Sequence, residues 1–238
     1  MIGRLIYAQQ DYTNPNSLAS RFRAKRFERI KLMIGAIAKA KGQCCIIDLG
    51  GRPEYWQVLG DQFLDVNNVH IKSLNLEGQD IFSHPRFEQI VGSACDVPFA
   101  DMSFDLCHSN SVIEHVGDWI NMERFAKETM RLAPNYYVQC PYFWFPIEPH
   151  FSVPFFHWLP ENMRARALLK KKHGFQDSIE SLNVAMTYVQ DARLLDKAQL
   201  RALFSDGELY EERFLGLIKS LMMIRLSTGI RSNDVGGL

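Results

Sequence analysis

The sequence has no excess charge of either sign, no long apolar run and no paired-cysteine spacing. Lys plus Arg and Asp plus Glu are equal at 27 each, so no global field draws the chain toward nucleic acid or an anionic membrane. No apolar stretch approaches the roughly 18–20 residues that cross a bilayer. The opening Met1–Tyr7 turns polar too soon for a secretory signal. The five cysteines, Cys44, Cys45, Cys95, Cys107 and Cys140, include no Cys-x-x-Cys pair, which removes the spacing of a zinc ribbon or a redox dithiol. Four of them fall in apolar runs, where Cys acts as a small hydrophobe. A reducing, cytoplasmic setting is expected. Missing too are Gly-x-Gly-x-x-Gly, Gly-x-Ser-x-Gly, Gly-x-x-x-x-Gly-Lys and Tyr-x-x-x-Lys. Their absence argues against the common dinucleotide, hydrolase, nucleotidase and epimerase sites.

What remains is a chain of 238 residues, 47% hydrophobic and 23% charged, suited to one folded domain over 1–238. Apolar spacing predicts an N-terminal helix over 18–41, with a basic face from which one arginine could fold over a carboxylate. Short apolar runs at 44–49, 69–76, 87–92, 104–109 and 136–140 read as strands of a mostly parallel sheet. A helix over 118–132 carries an Asp118 N-cap and stops at Pro134. This alternation predicts a doubly wound α/β sheet over 43–141. Beyond Pro141 an aromatic, proline-punctuated loop leads into a lid or acceptor region over 142–205, with helices over about 160–172 and 191–204. Two terminal strands are expected within 206–226, although Phe214–Leu226 also fits an amphipathic helix.

In such a sheet ligands bind beyond the carboxyl ends of the strands, and polar or glycine residues stand after each run. Asp48-Leu49-Gly50-Gly51 follows the first run, Asn75 and Glu77 the second, Asp96-Val97-Pro98-Phe99 the third, and Ser109-Asn110 the fourth, with Glu114 and His115 just beyond. Glycines allow close backbone approach and a sharp turn. An aspartate can accept amino hydrogens of a base, and an asparagine can bond a diol.

This ordered set, with the segment Asp96-Val97-Pro98-Phe99-Ala100-Asp101-Met102-Ser103-Phe104-Asp105 and Ser109-Asn110-Ser111-Val112-Ile113-Glu114-His115-Val116, resembles class I S-adenosylmethionine (SAM)-dependent methyltransferases of the small-molecule "type 11" branch. The resemblance implies a Rossmann-like fold with SAM as cofactor. It places Asp48, Gly50 and Gly51 at the methionine portion, Asn75 at the ribose, Asp96 and Val97 at the adenine, and Ser109 and Asn110 beside the sulfonium. Two departures stand out: Arg52-Pro53-Glu54-Tyr55-Trp56 replaces further spaced glycines, and Asn75 occupies a usually acidic position. The implied reaction is methyl transfer to oxygen or nitrogen of a small molecule, a sugar, glycolipid precursor or secondary metabolite. An oxygen acceptor must lose a proton, for which His115, Glu114, Glu148 and His150 are the candidates, with His150, Glu148 and His115 placed first. Glu148, His150 and His115 lack tight metal-ligand spacing, so no metal is expected. The alternatives are a non-catalytic partner subunit built on the same fold, and an NAD-dependent oxidoreductase or epimerase.

Overall fold

Helix α1, Leu18–Lys41, begins where the Ser17 side chain accepts a hydrogen bond from the Ser20 amide, and ends at Gly42 in the left-handed region. The computed structural model describes residues 17–77, 86–151, 153–170, 179 and 181–227. The lead-in before Ser17, the basic run from Lys171 and the tail beyond Ser227 lie outside the described residues. Strand β1, Cys44–Leu49, follows at once. The crossover to β2, Val69–Asn75, is built from α2, Pro53–Trp56, a 3-10 turn over Gln57–Leu59, and α3, Asp61–Val66. Then come β3, Phe87–Val91, and β4, Leu106–Asn110. Helix α4, Trp119–Leu132, is capped by Asp118, and β5, Asn135–Pro141, follows. Helices α5, Glu161–Lys170, α6, Leu182–Asp191, and α7, Lys197–Leu203, lead to β6, Glu208–Phe214, and β7, Leu217–Arg225.

The seven strands form one sheet in the order β3-β2-β1-β4-β5-β7-β6. The first five are parallel; β7 runs antiparallel between β5 and β6. The expected Rossmann-like α/β sheet and terminal strand pair are therefore both present, and the helical alternative for 214–226 is excluded. Each strand buries alternate residues on opposite faces. Ile46 packs under α1 with Phe27, Ile30, Ile34 and Ile37; Ile47 packs on the other face with Met122, Phe125 and Ala126 of α4. A third cluster joins Phe151 and Phe156 to Ala165, Leu168, Ala185 and Val189. No helix among the described residues is long and apolar enough to cross a membrane.

Three details differ from the sequence expectation. The fourth strand begins at Leu106, because Asp105 turns aside to accept the Cys45 amide at 2.8 Å. The helix expected over 191–204 starts only at Lys197, where Asp196 and Gln199 form a reciprocal capping box. Helix α6 was not anticipated: Leu182, Val184 and Tyr188 are exposed and only Ala185 and Val189 are buried, so its apolar stripe blurs in sequence.

Candidate functional site

Strand order reverses direction between β1 and β4, so the crevice between their carboxyl ends is where this topology places a ligand. The turn after β1 is built around Asp48, which has no exposed surface. One carboxylate oxygen accepts the Trp56 indole N–H at 2.6 Å, and the other faces Nδ1 of His108 at 2.7 Å. Trp56 and His108 are buried as well, and the His108 ring stacks on Tyr137 with centroids 5.6 Å apart. The departure after Gly51 thus has a purpose: it delivers Trp56 to Asp48. A Cβ on Gly51 would lie 1.5 Å from the Asp48 carboxylate, and one on Gly50 2.6 Å from a Val112 methyl. Gly50 also has φ 75°, a conformation glycine adopts without strain. The turn is held from both sides. Asn75 donates its amide to the Gly51 carbonyl at 2.8 Å, and the Ser109 hydroxyl donates to the Leu49 carbonyl at 3.1 Å.

Beyond β3, Asp96 is exposed while Val97 is buried. Arg131 of α4 fastens this loop, donating to the carbonyls of Phe99 at 2.6 Å and Val97 at 3.1 Å, and to Glu128 and Asp101. Glu128 in turn accepts the Val97 amide at 2.8 Å. Hydrogen bonds from Arg131 hold the Glu128 carboxyl below its usual range. At the end of β4, Asn110 accepts from Arg26 of α1 at 2.9 Å. Arg26 also grips Glu212 of β6 through two bonds of 2.9 and 3.1 Å, with both residues buried. The arginine expected to fold over a carboxylate is Arg26, and the carboxylate belongs to the chain itself.

The 3-10 turn Ile113–His115 follows β4, and the loop after β5 brings Glu148 and His150 to it. Nδ1 of His150 lies 2.7 Å from Glu148, and Nδ1 of His115 lies 3.1 Å from Asp191. The two Nε2 atoms face each other at 3.1 Å, with the rings perpendicular. Glu114 beside them is fully buried, and neither of its carboxylate oxygens has a hydrogen-bond partner. Burial raises its pKa, against a smaller opposing pull from His115 and His150. For His150, burial works downward, but the hydrogen bond and charge of Glu148 outweigh it and the net shift is upward. A cavity of about 280 Å³ opens behind Glu148, lined by Phe143, His157, Arg164, Tyr188 and Leu195 among others; none of the strand-end residues at the β1 turn borders it.

Of the residues singled out in sequence, the structure gathers Asp48, Gly50, Gly51, Asn75, Ser109 and Asn110 at the β1–β4 crevice. It gathers His115, Glu148 and His150 in a second group. Glu114, a candidate from its place beside His115, joins that second group. Sequence reasoning did not single out Trp56, His108 or Arg131, and did not say which arginine of α1 turns inward.

Residues 51–135 match the family model described as "Methyltransferase domain". No curated protein matches the chain in sequence. Among solved structures, the chain is similar to one in the complex of the Haloferax volcanii Trm112 methyltransferase activator with a methyltransferase (15% identity, 88% of this chain and 95% of that one, TM-score 0.49). It is also similar to a SAM-dependent methyltransferase from Methanosarcina mazei (15% identity, 78% and 92%, TM-score 0.45). A third is human N-acetylserotonin methyltransferase in complex with SAM (12% identity, 77% and 48%, TM-score 0.43). Residues 51–135 thus match a methyltransferase-domain family, the one that the sequence motifs resemble.

Proposed function

We propose that the protein is an enzyme that transfers the methyl group of SAM to an oxygen or nitrogen of a small-molecule acceptor. The observation that carries this reading is the double-glycine turn at the β1–β4 crevice. It leaves backbone bare at the ligand position and is braced by Asn75 and Ser109. When bound, SAM supplies a methyl carbon already activated by its sulfonium. Gly50 and Gly51 would take the methionine portion, Asn75 the ribose, Asp96 and Val97 the adenine, and Ser109 and Asn110 the wall beside the methyl. Asn75 spends its amide on Gly51, which leaves its carbonyl oxygen to accept from a ribose hydroxyl. The exposed Asp96 carboxylate suits an adenine amino group. Asp48, enclosed with both oxygens taken, would act from behind by fixing the turn.

The protein's remaining work is positioning, excluding water and handling the acceptor's proton. Residues 142–205 would form the lid over the acceptor, and exposed Trp144, Phe155 and Trp158 suit an apolar or aromatic one. His150 donates through Nδ1 to Glu148, which fixes the tautomer and turns Nε2 toward His115. His115 is the second imidazole of that pair.

Titration calorimetry should give a SAM dissociation constant in the low micromolar range, about −7 to −8 kcal/mol. Asp96→Ala should weaken it by about 1.5–3 kcal/mol without unfolding an exposed loop position. No heat with SAM beside a clear response to NADH would reject the reading. Once an acceptor is in hand, His150→Ala should lower turnover by about 10²–10⁴-fold with SAM affinity unchanged; full turnover would remove the histidine from the chemistry.

A further inference from the structure

We propose that Glu114, His115 and His150 bind one divalent transition-metal ion of the zinc class. A carboxylate oxygen of Glu114 and a ring nitrogen of each histidine lie within 4.8 Å of one another. The case rests on the geometry of these groups and on their hydrogen-bond partners.

The tautomers come first. Each histidine turns Nδ1 toward a carboxylate, His150 toward Glu148 at 2.7 Å and His115 toward Asp191 at 3.1 Å. In the neutral ring that nitrogen carries the hydrogen, and Nε2 carries the lone pair. The two Nε2 atoms sit 3.1 Å apart, so two lone pairs face each other unless a proton or a metal ion lies between them. Two nitrogens held about 2.0–2.1 Å from one tetrahedral zinc would be about 3.3 Å apart, close to what is seen. The perpendicular rings let both lone pairs converge without a ring clash.

Glu114 is the independent observation. It has no exposed surface, and neither oxygen has a partner. A buried carboxyl group with both oxygens unpartnered is rarely left so without a ligand to meet them. Its place beside two imidazole lone pairs supplies the third ligand, and imidazole with carboxylate suits zinc-class ions. Glu148 and Asp191 complete the site as the outer carboxylates that orient metal-binding histidines. Sequence spacing hides the set, because Glu114 and His115 are adjacent while His150 arrives from the loop after β5.

Ion binding does not depend on the proposed reaction. One consequence does: three protein ligands leave a fourth position open, where an acceptor hydroxyl would bind and become more acidic. The imidazoles would then act through the ion rather than as free bases.

The test uses the full chain, stripped with a chelator and titrated with Zn²⁺, and in parallel with Co²⁺ for its visible absorption. One ion per chain is expected. His115→Ala, at a partly exposed position, should lower affinity on the order of 100-fold or more, and Glu148→Gln by about 10–100-fold. Glu114→Gln, nearly isosteric, should abolish the cobalt band while thermal melting shows a folded protein. Absence of binding to the stripped protein, or binding that persists unchanged in folded Glu114→Gln and His115→Ala, would overturn the inference and leave a shared proton between the histidines. SAM titration of the same stripped protein separates the two readings: heat with SAM but none with Zn²⁺ rejects the ion alone, and the reverse rejects methyl transfer alone.

Discussion

Gly51 and Asp48 occupy each other's space, so each fixes the identity of the other. A methyl at Gly51 would land 1.5 Å from the carboxylate, and the carboxylate cannot move without abandoning Trp56 and His108. Gly51→Ala should therefore destabilise the fold by about 1–3 kcal/mol and remove SAM binding, as read by urea unfolding and calorimetry. Unchanged values of both would show that the turn tolerates a side chain and that the close packing does not matter. Asp48→Ala should cost a similar amount by stranding two buried donors. The glycines and the acid were legible in sequence because they sit at a strand exit. Trp56 and His108 were not. Trp56 lay inside what looked like an irregular glycine motif, and His108 lay inside an apolar run 60 residues from its partner, a pairing only the β1–β4 register brings about.

Helix α1 and strand β6 come from opposite ends of the described chain, and Arg26 with Glu212 ties them across the sheet. Arg26→Ala would leave Glu212 enclosed with only Ser220 and Lys219 as partners, which should cost up to about 3–5 kcal/mol. Replacing both residues with apolar ones should restore much of it, and denaturant titration of the single and double variants decides the matter. Burial pushes the Glu212 carboxyl up, but Arg26, Lys219 and Ser220 together pull it further down, so it lies below the ordinary 4.5. A carboxylate depressed on folding stabilises fully above its unfolded value, and that stability is lost as pH falls through the folded one. Acid unfolding should thus steepen below about pH 4.5, and less so in Glu212→Gln. The basic face of α1 suggested such an arginine, yet periodicity could not say which of Arg21, Arg23, Arg26 and Arg29 turns inward. The strands were readable because both-face burial makes unbroken apolar runs. Helix α6 was not, since a half-exposed helix on a small satellite cluster leaves no clean stripe.

Across the whole molecule, the five cysteines report on packing. Cys44, Cys107 and Cys140 are buried, whereas Cys45 and Cys95 are partly accessible, and burial pushes all five thiols up. Alkylation of the native protein near neutral pH should be slow and should mark Cys45 and Cys95 before the other three, as peptide mass spectrometry would show. Early labelling of Cys107 or Cys140 would mean that the sheet opens. The place of β7 has a consequence of a different kind, in the order of events by which the molecule comes into being. Strand β5 pairs with residues 220–225, which leave the ribosome some 80 residues later than β5 itself. Until then one edge of a buried strand stands bare, and the contacts that Met222 and Ile224 make with the α1 layer are missing. Distant pairings of this sort close slowly, and open edges invite other chains. Nascent protein should therefore require protection until its last strand arrives, and chains interrupted before Leu217 should be found in the insoluble fraction rather than as a smaller folded domain.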